Sequence, residues 1–105
     1  VTIQKSGLFQ LNHEAAEALS LAEGHKVSLV RNKEKPKDWY ILRDASGVDL
    51  RKSSQGFLIF SAKIVRDLMI DAIQPKNPTM RFRVASQPER VGDKMLYAIL
   101  TTKTV

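Results

Sequence analysis

Apolar and polar positions alternate from the first residue. Val1 and Ile3 interleave with Thr2, Gln4 and Lys5, the period-two pattern of a half-buried strand. Ser6-Gly7 signals a turn, and Leu8 to Leu11 is a second short strand. Asn12 is placed to cap a helix, because its side-chain oxygen can accept from free amides of the next turn. Glu14 and Glu17 suit the helix start electrostatically, and Ala15, Ala18, Leu19 and Leu21 supply a buried stripe. Gly24 can take the left-handed conformation after the helix. Lys26 to Val30 and Trp39 to Leu42 then predict a hairpin around a charged loop.

The same order recurs. Val48 to Lys52 and Gly56 to Phe60 predict strands, with a helix from Ser61 to about Asp71, capped by Ser61 and burying Ile64, Val65, Leu68 and Met69. Gln74-Pro75-Lys76-Asn77-Pro78 predicts an extended linker, since two prolines oppose helix. Met80 to Val84 and Met95 to Thr101 complete the strands. Val1 to Ser6 matches Val48 to Ser53, and, after two extra residues, Gly7 to Asn12 matches Gly56 to Ser61. Trp39-Tyr40-Ile41-Leu42 is similar to Tyr97-Ala98-Ile99-Leu100. The expected architecture is one β-rich α+β domain of two pseudo-twofold ββαββ units, about residues 1–47 and 48–105. Its two helices plug the ends or cover one face.

Composition narrows the chemistry. The chain has 105 residues, 43% hydrophobic and 27% charged, the balance of a single folded domain rather than a disordered segment. No apolar run approaches a membrane span, and residues 1–11 show no basic leader followed by an apolar core. There is no cysteine, so disulfides, thiol catalysis, iron–sulfur clusters and Cys-based zinc sites are excluded. His13 and His25 have no ligand-like companions, and no nucleophile elbow, P-loop or dinucleotide fingerprint is present. The chain therefore predicts a non-enzyme with no cofactor and no metal site, in a cytoplasmic setting away from membranes.

Charge is the remaining lead. The net charge is +6, and it is uneven: residues 1–47 carry seven Lys+Arg against six Asp+Glu, residues 48–105 ten against five. Arg51-Lys52 ends one strand. Arg81 and Arg83 alternate with Phe82 and Val84, placing two guanidiniums on one strand face. Lys63 and Arg66 share a helix side, and Arg31 to Lys37 add Lys33, Lys35 and Lys37 in a loop. Clustered cations bind phosphate backbones by ion pairing and counterion release. Of the adjacent Trp39 and Tyr40, one should face outward; beside Arg43 it could stack on a base, but packing of both is the simpler expectation.

Lys5 to Val30 resembles the AbrB/SpoVT/MazE swapped-hairpin family: a basic strand, a Gly turn, a short strand, a short helix, then a glycine and a further strand. Gly56 to Ile70 echoes it, and a tandem arrangement in one chain is similar to MraZ or a single-chain cradle-loop barrel. After the turn glycine, where the family carries an arginine, this chain has Leu8 and Phe57. The resemblance implies DNA binding by the first-hairpin strands, here Lys5, Arg51 and Lys52. A circularly shifted reading as a whirly-like pair of ββββα units would instead use the Arg81/Arg83 and Trp39/Tyr40 strands.

The reading overall is a non-catalytic nucleic-acid-binding protein, DNA before RNA and regulatory in role. The phosphate contacts would be Lys5, Arg51, Lys52, Arg81 and Arg83, with Lys33, Lys35, Lys37, Lys63 and Arg66 in support. A small interior favours homodimerisation. The rival reading is a protein-interaction or assembly module whose basic surface is incidental.

Overall fold

The computed structural model of the chain describes every residue except Pro36, Pro78 and Val105; the side chains of residues 101–104 also lie outside the described set. The first half comprises β1 (Thr2–Ile3), β2 (Leu8–Leu11), α1 (His13–Ala18), β3 (Lys26–Arg31) and β4 (Trp39–Arg43). The second comprises β5 (Val48–Asp49), β6 (Arg51–Lys52), β7 (Leu58–Ser61), α2 (Lys63–Ile73), β8 (Met80–Val84), β9 (Glu89–Val91) and β10 (Lys94–Thr104).

The strands form one antiparallel sheet in the order β5-β3-β4-β10-β8-β1-β2-β7-β6, with β9 added on β10. Its two end strands are consecutive in the chain and separated only by Leu50. The Leu50 N–H donates to the His25 carbonyl (2.8 Å), and the Leu50 carbonyl accepts from the Gly24 N–H (3.2 Å). The ladder therefore nearly closes into a barrel, leaving little free edge. Strand alternation sends Ile3, Phe9, Leu11, Val27, Ile41, Phe60, Met80, Phe82 and Ile99 inward, where each is at most 3% exposed. Ala15 and Leu19 of the α1 region and Met69 of α2 join that core.

Asn12 caps α1 as its side chain predicts: Oδ1 accepts from the Ala15 N–H at 2.9 Å. The helix ends at Ala18, and the left-handed residue that follows it is Ser20; Gly24 takes its positive φ in the later turn into β3.

Four expectations are corrected. Val48 to Lys52 is two short strands rather than one, because Leu50 turns into the core between them. Ser61 is not the cap of α2: its backbone is still paired with Leu8 in the sheet, so the helix starts one residue later at an Ala62 with no side-chain cap. α2 also presents a different face. Met69 is buried and Val65, Ile70 and Ile73 pack against the core, while Ile64 is 78% exposed and Leu68 39%. Glu89 to Val91, outside the expected strands, forms β9 by pairing with Lys94 to Leu96. The expected linker begins at Gln74, which ends α2 in the left-handed conformation; Pro78 lies outside the described residues.

The two tight hairpins are built alike. Gly7 N–H donates to Gln4 O and Gln4 N–H to Leu8 O; Gly56 N–H donates to Ser53 O and Ser53 N–H to Phe57 O. Both glycines need positive φ, +90° and +87°. Arg51 thus stands where Thr2 stands in the first hairpin, so the two extra residues precede the second hairpin rather than follow its first strand.

Candidate nucleic-acid interface

Register places the outward side chains in rows. Thr2 lies opposite both Arg81 on β8 and Gln10 on β2. Gln10 lies opposite Ile59 on β7, and Ile59 opposite Arg51 on β6. Paired residues share a sheet face, so Arg81, Thr2, Gln10, Ile59 and Arg51 form one outward row across five strands. The row one residue along is the core-facing one: Met80, Ile3, Phe9 and Phe60. β8 alternates as its sequence predicts, with Met80 and Phe82 buried and Arg81 and Arg83 exposed.

The candidate cations are not equivalent. Arg81 and Arg83 share the outward face of β8, with Arg83 opposite the exposed Leu100. Lys5 is exposed in the β1–β2 turn. Lys63 begins α2 against that turn: Ala62 N–H donates to Gly7 O at 2.9 Å, and a Cβ on Gly7 would sit 2.7 Å from the Lys63 Cα. Arg81, Lys5 and Lys63 lie toward the β1–β2 turn, whereas Arg83 lies past Val1 at the other end of β1. Arg51 closes the row on the far side. Its neighbour Lys52 is opposite the buried Leu58 and so belongs to the other sheet face, although exposed at the edge. Lys33, Lys35 and Lys37 are exposed on the β3–β4 loop, two strands from β8. Arg66 points elsewhere: its side chain is 13% exposed, its Nη1 is 2.9 Å from Asp67, and its Nε is buried without a partner.

Among the described residues, Lys26 is ion-paired with Asp49 and Arg66 with Asp67. Lys5, Arg51, Arg81 and Arg83 take part in neither pair.

Between β1, β2 and β8 the outward face forms a groove of about 770 Å3, its walls including Lys5, Arg81, Thr2, Gln4 and Gln10. Sequence reasoning missed the two glutamines. They were legible only as polar positions of strands, because their meeting depends on the β1–β2 register. A second recess, about 310 Å3, lies between Leu19, Arg43, Met95 and Tyr97.

The aromatic pair resolves by alternation. Trp39 is 3% exposed in the core, with the Arg31 guanidinium 5.4 Å from its ring centroid. Tyr40 faces outward, half-buried, opposite Val30 and Ala98. Burial raises its hydroxyl pKa above the usual value, and the charges of Glu89 and Asp38 and a hydrogen bond to Glu89 add to the rise. Arg43, three residues on, lies on the opposite face near His25, so no Tyr40–Arg43 stacking platform forms.

Among the described residues no cluster of three or more His, Asp or Glu side chains could hold a metal ion, and no helix is long and apolar enough to cross a membrane. Comparison with protein-family models, curated proteins and solved structures gives no match.

Proposed function

We propose that the chain is a non-catalytic nucleic-acid-binding protein, DNA before RNA and regulatory, whose contact surface is the outward face of β8, β1, β2, β7 and β6. The observation that carries this reading is the alignment of Arg81, Arg83, Lys5 and Arg51 on one face with no carboxylate in ion-pair range among the described residues. Cations left without internal partners are free to neutralise phosphates and release counterions. Arg adds a planar fork matched to phosphate oxygens.

The fold underlying it is proposed as two interleaved ββαββ halves, similar to a single-chain swapped-hairpin barrel. Register supports this. β2 meets β7 about a centre at Gln10–Ile59, and β4 meets β10 about a centre at Tyr40–Ala98. Thr2–Arg81 then corresponds to Asp49–Lys26, β5 and β6 together filling the place that β1 holds alone: Asp49 takes its pairing to β3 and Arg51 its pairing to β7. Such pairing between halves favours interleaving over the whirly-like alternative of two self-contained ββββα units.

The test is a fluorescence-anisotropy titration with DNA at two salt concentrations. Affinity should fall steeply with salt, and Arg81→Glu/Arg83→Glu should weaken it at least tenfold at low salt. No binding at low salt would remove the reading. The assembly alternative has its own observation, the exposed Ile64, Val91 and Met95. A stable dimer in sedimentation, lost in Ile64→Lys or Val91→Lys, would favour it.

A further inference from the structure

The groove on the outward face has a composition that simple charge attraction does not require. Gln4 and Gln10 are half-buried, and among the described residues neither carboxamide has a hydrogen-bond partner. Gln4 follows β1 at the start of the turn, its N–H donating to the Leu8 carbonyl, and lines the same groove as Thr2. Gln10 is directly opposite Thr2 on β2, and Arg81 opposite Thr2 on the other side. Lys5 closes the groove at the turn. One recess thus combines two cations with two unengaged amides, each offering a donor and an acceptor side by side.

A protein reads duplex DNA by inserting a projecting helix or ribbon into a groove. Here the polar groups lie in a shallow, open depression lined by strand and turn residues, with no helix among them to insert into a duplex groove. An unpaired nucleotide can lay its base edge against such a surface, whereas a duplex keeps its base edges within its grooves. No aromatic ring lines the depression, so hydrogen bonding rather than stacking would hold the base.

Resting on the nucleic-acid reading above, we propose that this groove receives a nucleotide of a single strand, its phosphate between Lys5 and Arg81 and its base edge against the carboxamides of Gln4 and Gln10. Single-strand preference is then a property of the groove, and charge elsewhere on the face adds affinity without it.

The experiment compares three probes by anisotropy: a mixed-sequence ten-nucleotide single strand, the same sequence as a duplex, and a ten-unit abasic strand. The single strand should bind roughly tenfold or more tighter than either. Gln4→Ala/Gln10→Ala should bring single-strand affinity down to the abasic level without changing the salt slope. Lys5→Ala/Arg81→Ala should reduce that slope by roughly 1.4, about 0.7 for each single-strand phosphate no longer neutralised. Where a variant does not fold, the side-chain amide NMR signals of Gln4 and Gln10 in the unaltered protein serve instead; they should shift with the single strand and stay still with the abasic one. A duplex bound as tightly as the single strand, an unaffected glutamine double variant, or unmoved amide signals would overturn the groove while leaving the nucleic-acid reading standing. Failure of all three probes to bind at low salt would overturn both.

Discussion

Phe9 and Phe60 lie directly opposite each other where β2 meets β7, their rings stacked with centroids 4.9 Å apart and both side chains no more than 1% exposed. This contact joins the two halves at the middle of the barrel. Residues one step along the same strands, Gln10 and Ile59, sit in the outward row. The inner pair therefore fixes the register that the outer row depends on.

Truncating either ring should be costly. Phe9→Ala or Phe60→Ala should destabilise the fold by about 3–5 kcal/mol, read from urea unfolding, because each leaves a cavity as well as losing burial. A double-mutant cycle should return a coupling of about 0.5–1.5 kcal/mol for the stacked pair. Strictly additive losses would mean that the rings do not support each other.

The two turn glycines should respond differently. Both have positive φ, so an alanine at either costs about 1–2 kcal/mol in backbone strain. At Gly56 nothing else lies within 4 Å of the added Cβ, whereas at Gly7 it would collide with the backbone of Lys63. Gly7→Ala should therefore lower the melting temperature more than Gly56→Ala does. It should also weaken nucleic-acid binding by shifting the turn that carries Lys5. Equal losses at the two positions would contradict the close packing of α2 on the first hairpin.

Much of this was legible locally and some was not. Asn12 was readable as a cap, and Arg81 and Arg83 as one face, because both depend on spacing within a few residues. The break at Leu50 was not, since it arises from barrel closure, a pairing with residues far away in the chain. Ser61 looks like a cap in isolation but is held in the sheet by Leu8. The face of α2 follows from where β7 delivers the helix, which leaves Ile64 outside and draws Arg66 inward. In the candidate site the cations were visible as composition. The groove was not, because Gln4, Gln10 and Arg81 come together only through two strand registers.

Arg66 and Arg83 separate stability from binding. Arg66 is largely enclosed, with one guanidinium nitrogen lacking a partner, so its burial is poorly compensated. Arg66→Met keeps the aliphatic bulk and removes that cost; its melting temperature should hold or rise, and nucleic-acid affinity should be unchanged. Arg83→Met removes an exposed cation without a salt bridge among the described residues. It should leave stability within about 0.5 kcal/mol and weaken binding measurably at low salt. Weakened binding in the Arg66 variant alone would relocate the surface to α2.

Two groups make stability depend on pH, in opposite windows. The Asp44 carboxyl is held below its ordinary value of 3.8, first by the Ser46 N–H (3.0 Å to Oδ1) and then by the Ser28 hydroxyl (2.9 Å to Oδ2). A depressed folded-state value means the unfolded chain binds the proton more readily. The contribution is therefore present above pH 3.8 and is lost as pH falls through the lower folded value. Tyr40 works the other way. Burial, the nearby Glu89 and Asp38 charges and its hydrogen bond to Glu89 raise its value above 10.0, so the folded state keeps its proton longer. That contribution is intact below pH 10.0 and fades as pH climbs through the raised folded value. Urea unfolding across both ranges should show Asp44→Asn flattening the acid limb only, and Tyr40→Phe flattening the alkaline limb only. An acid limb unchanged by Asp44→Asn would mean that the Ser28 and Ser46 bonds persist in the unfolded chain or do not form in the folded one.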